Sequence, residues 1–301
     1  MTISNKLKLN ASLAAVFVFV SVFSFGQNSL QTQIDQLAKT VKGNLGFCAM
    51  IIETGEKVSY NGDRQFPMQS VYKFPIAMAV LNKVDEGNLK LDQSIHVDSI
   101  DFIPKGGHSP LRENFPEGID ITIKELIRYN VSESDGTACD VLLRLLGGTE
   151  HANRYIHKLG VKDIAIATTE KIQVANDSIQ YQNWTTPNAM TKLLQIFYTT
   201  NKLSEKSKTL LLNDMIESTP GPKRLKGLLP PGTIVAHKTG TAGTYNGLTR
   251  ATNDTGIVTL ANGKHLAITV FISDSYDSQA DRELTIAKAS KAAFDFWTNN
   301  K

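Results

Sequence analysis

Strand-like runs lie at both ends of this 301-residue chain and helix-like runs lie between them, an order that few architectures satisfy. Near the start, residues 46–52 and 57–60 read as two strands around the turn Glu53-Thr54-Gly55-Glu56. Near the end, residues 233–238, 254–260 and 265–273 read as strands, and 279–297 as a closing amphipathic helix. Apolar residues recur at helical spacing over 31–41, 71–84, 122–130, 135–146, 150–159, 187–200 and 204–217. The simplest arrangement is an α/β layer built from both chain ends, with an all-α region inserted. The expected boundaries are 27–67 with 218–301 for the first and 68–217 for the second. Residues 89–118, rich in Gly and Pro, read as irregular, and 165–186 is a long polar segment without periodicity. Loops of that length inside a compact protein are often functional.

The first residues read as a secretory leader. Lys6 and Lys8 precede the apolar run 13–23, and Ser24-Phe25-Gly26 supplies small residues for cleavage before Gln27. The run is shorter than the ~20 residues that span a bilayer, and no cysteine stands near the cleavage point to take a lipid. With 1–26 read as a signal peptide, the expectation is a periplasmic monomer without a membrane anchor. Loss of Lys6 and Lys8 would bring the net charge of +3 close to neutrality, and the basic residues are scattered, which excludes a nucleic-acid footprint. Cys48 lies in an apolar strand-like run and Cys139 in a helix, so both read as buried free thiols. No histidine falls in a His-x-His or His-Glu-x-x-His pattern, so a zinc site is not expected; the expectation is an enzyme without a cofactor.

Chemistry concentrates in Met68-Gln69-Ser70-Val71-Tyr72-Lys73-Phe74-Pro75, where Ser70 and Lys73 stand three apart at the start of an apolar helix. A serine alcohol needs a base to become a nucleophile, and a lysine can serve if burial or nearby positive charge lowers its pKa. A helix N-terminus also favours developing negative charge. Taken alone, the pair is equally a chance Ser-x-x-Lys with a solvated lysine.

Two further motifs follow. In Ser132-Glu133-Ser134-Asp135-Gly136, Ser134 could relay a proton, while Asp135 could simply cap the next helix. In His237-Lys238-Thr239-Gly240-Thr241, the lysine could bring positive charge, the threonines could bind a carboxylate, and Gly240 could let a ligand approach the backbone. The plainer alternative there is a surface strand ending in a turn.

In this order the three motifs resemble those of the class A serine β-lactamases, Ser-x-x-Lys, Ser-Asp-Asn and Lys-Thr-Gly. The resemblance covers essentially the whole mature chain and is strongest to the PER/VEB branch of extended-spectrum enzymes. It is carried by Phe66-Pro67-Met68-Gln69-Ser70-Val71, Tyr181-Gln182-Asn183-Trp184, Arg224-Leu225-Lys226-Gly227, Ala236-His237-Lys238-Thr239-Gly240-Thr241 and Ala251-Thr252-Asn253-Asp254.

The resemblance implies an antiparallel sheet flanked by helices and a β-lactam as the partner. It makes Ser70 the nucleophile, Lys73 a helper in removing its proton, Ser134 the donor to the lactam nitrogen, and Lys238 the support of Ser134. Thr239 and Thr241, backed by Arg224, would bind the substrate carboxylate, and the backbone N–H groups of Ser70 and Thr241 would form the oxyanion hole. Glu170, in the long polar segment, would activate the deacylating water. Penicillins and cephalosporins, oxyimino types included, are the implied substrates.

Three positions depart from the family pattern. Gly136, in a substrate-binding position, lacks the expected asparagine amide. Val174 stands where relatives carry Asn or His and cannot bond the hydrolytic water. The loop Lys105-Gly106-Gly107-His108 lacks an aromatic gate. A penicillin-binding D-Ala-D-Ala peptidase and a lactamase scaffold disabled by Gly136 and Val174 are the alternatives.

Overall fold

The computed structural model describes residues 30–299; the expected leader, 1–26, lies outside the described residues. At its centre is a six-stranded antiparallel sheet ordered Lys57–Tyr60, Asn44–Ile51, His265–Ser275, Leu248–Thr259, Val235–Thr241, with Thr244–Tyr245 also pairing onto Leu248–Thr259. Period-2 alternation sends Leu45, Phe47, Ala49 and Ile51 to one face, with Leu266, Ile268, Val270 and Ile272 beside them. The terminal helices, 30–40 and Gln279–Asn299, cover this face through Leu30, Ile34, Ile286, Ala293 and Phe294. Ala236, Ile257, Ala267 and Phe271 point the other way, into a second core shared with the helices from the middle of the chain. A sheet buried on both faces reads as nearly continuous apolar runs, as residues 45–52 and 266–272 do.

The helix Lys73–Asp85 is the hub of that second core. Its residues Lys73 to Leu81 are all buried, packed by Ile123–Val131, Gly136–Leu146, Thr149–Lys158 and Glu205–Ile216. Pro75 is accommodated because the first N–H groups of a helix have no internal acceptor. The middle of the chain is not purely helical, however. Ser94–Val97 pairs with Ile119–Thr122, and Trp184–Thr185 pairs with both Phe66–Pro67 and Ile164–Ala165. The first pair alternates Ile95/Val97 with exposed Ser94 and His96, too few residues to register beside the surrounding Gly and Pro. Cys48 and Cys139 are both buried and free.

Candidate active site

Ser70 lies in a 3-10 turn, Gln69–Tyr72, that leads directly into the helix beginning at Lys73. In such a turn, side chains at i and i+3 eclipse rather than stagger. Lys73 Nζ accordingly reaches Ser70 Oγ at 2.8 Å. Gln69 holds φ at +48°, a conformation costly for a residue with a Cβ and concentrated at functional sites. Gly240 of the adjacent strand lies alongside: a Cβ there would collide with Met68 O and stand 3.2 Å from Ser70 N. The glycine serves a close approach, as expected, but of the chain's own backbone rather than of a ligand.

Ser134, also at positive φ (+58°), projects into the same space. Its carbonyl accepts from Lys73 Nζ at 2.8 Å and its hydroxyl from Lys238 Nζ at 2.8 Å. Asp135 caps the following helix through Ala138 N at 2.7 Å and also accepts from Leu111 N and Ser109 Oγ. Gly136 is bare because Ile103 Cδ1 fills the place its Cβ would take.

Glu170 arrives on the short helix Glu170–Ala175, and its Oε1 lies 2.8 Å from Lys73 Nζ. The long polar segment has a clamp and an anchor that sequence alone did not expose. Buried Asn183 accepts from Ala167 N and Thr168 N and donates to Thr168 O, closing the loop on itself. Asp140 accepts from Glu170 N and Lys171 N at 2.8 Å each. Such side-chain acceptors at helix starts are a sequence signal only once the partner helix is known.

The strand Val235–Thr241 is buried up to Gly240, which rules out the surface-strand alternative. His237 Nδ1 meets the Asp254 carboxylate at 2.9 Å, both side chains fully buried. Further along the strand Thr239 and Thr241 border the cleft, and Lys238 reaches it through Ser134 Oγ. Arg224, 3% exposed, donates to Thr241 Oγ1 at 2.7 Å and to Asn253 O at 2.9 Å, with Glu283 3.4 Å away.

The two lysines are set apart electrostatically. Burial works against the charge of Lys73, but Glu170 outweighs it and holds the ammonium above its ordinary value. Burial likewise opposes ionisation of Glu170, and Lys73 holds its carboxyl below the usual range. Lys238 is pushed well below 10.5 by burial and then by Lys73. The condition set for a lysine base, a lowered pKa, is met by Lys238 and not by Lys73. The close partner of Lys73 is an anion, whereas Lys238 donates, among the described residues, to a hydroxyl and a carbonyl.

Ser70, Ser134, Thr239, Gly240, Thr241 and His108 line one cleft of about 380 Å³. His108 stands at its rim, bonded to Glu133 O at 2.9 Å. A groove of 440 Å³ between Leu228 and the C-terminal helix is lined by none of Ser70, Lys73, Ser134, Glu170 and Lys238. All five side chains on which the sequence argument turned, Ser70, Lys73, Ser134, Glu170 and Lys238, thus converge. Over residues 29–297 the chain matches the model of the β-lactamase enzyme family. A structure described as a representative of class A β-lactamase, from Bacteroides cellulosilyticus, superposes with a TM-score of 0.87 at 36% identity, covering 91% of this chain and 99% of that one.

The chain belongs to the class A β-lactamases.

Among its relatives in that class, β-lactamase VEB-1 of Pseudomonas aeruginosa is 40% identical over 93% of this chain and 95% of its own length. The extended-spectrum β-lactamase PER-1 of the same organism is 38% identical over 94% and 93%. As a class A β-lactamase, the chain is a hydrolase of cyclic amides.

Proposed function

We propose that this β-lactamase opens penicillins and cephalosporins, oxyimino types included, through an acyl-enzyme on Ser70 that water activated by Glu170 then hydrolyses. One observation carries this. A single ammonium, Lys73, joins Ser70 Oγ, Ser134 O and Glu170 Oε1, each at 2.8 Å. Ser70 Oγ bonds to the lactam carbonyl carbon while its proton passes to Lys73, which releases one of its own toward Ser134. As the C–N bond breaks, Ser134 gives its proton to the departing nitrogen, its hydroxyl held by Lys238. Lys73 is thereby left an ammonium and Glu170 stays a carboxylate throughout, available when the deacylating water needs a base.

The N–H groups of Ser70 and Thr241 are the donors for the developing oxyanion; losing one such donor costs roughly 3–4 kcal/mol in studied hydrolases. Thr239 and Thr241 receive the substrate carboxylate, with Arg224 fixing Thr241 and adding positive potential. Gly136 contributes only backbone. The breadth of substrate is supported by the likeness to an extended-spectrum relative. The sequence of residues 1–26 supports export to the periplasm, and the mature chain is read as a monomer of an α/β unit (27–67 with 218–301) and a mainly helical one (68–217).

The test is hydrolysis of a chromogenic cephalosporin by the purified mature protein, abolished by Ser70→Ala. Absence of both turnover and a Ser70 adduct would overturn the proposal. A long-lived penicillin adduct on the unmutated protein would instead favour a slow penicillin-binding peptidase.

A further inference from the structure

Glu170 rides on a helix that buries none of its residues. Asp140 ties down its N-terminal end. Val174, four residues on, shares the face of Glu170. A Cβ at Gly107 would stand 2.6 Å from both Val174 Cγ2 and Ile103 Cδ1, so those two side chains close over bare backbone. On its other flank Ile103 Cδ1 takes the room of a Cβ at Gly136, and that Cβ would lie 3.4 Å from Glu170 Cβ. Ile103 is 1% exposed and pinned at both ends of its backbone. Its N–H donates to Thr137 Oγ1 at 3.2 Å, and its carbonyl accepts from Arg112 Nη1 at 2.8 Å.

We propose that Ile103 is a positioning residue for Glu170. Admitted only because residues 107 and 136 are glycines, it braces Val174 and the Glu170 stem and fixes the carboxylate against Lys73. An apolar brace costs no hydrogen bond here, because the three N–H groups of Lys73 already have Ser70 Oγ, Ser134 O and Glu170 Oε1. The inference rests on the role given to Glu170 above.

The experiment measures acylation and deacylation separately, by burst kinetics and by intact mass during turnover of a cephalosporin. Ile103→Ala leaves the burst rate nearly unchanged and slows deacylation about tenfold or more, since small misplacements of a catalytic group are costly, so the adduct accumulates. Gly136→Ala, whatever it does to the burst, also slows deacylation by displacing Ile103. Joining it to Ile103→Val, which lacks the δ carbon, restores deacylation, a rescue that general destabilisation would not produce. No added adduct in Ile103→Ala, or no rescue in the pair, overturns the inference. Glu170→Gln runs alongside. An adduct there but not in Ile103→Ala sinks this inference alone, whereas none in Glu170→Gln sinks the role of Glu170 and this inference with it.

Discussion

Lys73 and Glu170 face each other at 2.8 Å, the lysine side chain 1% exposed and the glutamate 14%. Each keeps the other charged. Removing one member of such a buried pair strands the other, typically at about 3–5 kcal/mol.

The pH profile follows from that pairing. The proposed mechanism needs Glu170 ionised and Lys238 protonated. Glu170 is held below 4.5, so the acid limb of kcat/KM falls below the ordinary carboxylate range. Lys238 is held well below 10.5, so the alkaline limb arrives earlier than a free lysine would give. A profile of kcat/KM against pH checks both limbs; an acid limb above the ordinary carboxylate range would contradict the pairing.

Gly240→Ala should damage the site through the backbone. Its Cβ collides with Met68 O beside Ser70, and overpacking of this kind costs about 1–3 kcal/mol. Thermal melting should show the loss, accompanied by a slower burst; a variant as stable and as fast as the parent would mean that the strand can retreat freely.

Asn183→Ala removes three hydrogen bonds that close the Glu170 loop. Leaving buried backbone groups unpaired costs about 1–3 kcal/mol each at most. Faster proteolysis within residues 165–186 and slower deacylation are expected, with little change in acylation. Equal proteolysis of variant and parent would dismiss the clamp.

Asp214 sets a pH dependence of stability outside the chemistry. Burial, followed by the charge of Glu217, raises its pKa from 3.8 to about 7, and its Oδ2 has no hydrogen-bond partner among the described residues. The folded state therefore holds a proton that the unfolded chain releases. This contribution is fully present below the unfolded value and is lost as pH rises through about 7. Asp214→Asn should shrink the difference in melting temperature between acidic and mildly alkaline buffer; an unchanged difference would remove Asp214 as its source.

The residues proposed to carry the chemistry were legible where their signals are short. Ser70 and Lys73 are three apart and the other motifs lie within five residues, so local spacing marks candidates, while their roles came from the family resemblance. What escaped was long-range. The strand expected from Asp254 begins at Leu248, because Thr249, Thr252 and Asn253 are polar yet buried between paired strands. Ile103 gave no sign that it would fill the slot at Gly136, since that depends on two loops meeting. The raised pKa of Lys73 was equally hidden, because it requires Glu170 to arrive from a separate loop. Gly136 and Val174 looked like defects in a polar site, and the folded chain sets both beside an apolar brace.

The most direct measurement is the intact mass of Glu170→Gln after mixing with a cephalosporin. The expected result is a persistent adduct that maps to Ser70, with turnover reduced by about 10²–10⁴-fold as for a lost general base. Protein of unchanged mass, turning over substrate at the rate of the parent, would contradict the convergence of Ser70, Lys73 and Glu170 on one reaction.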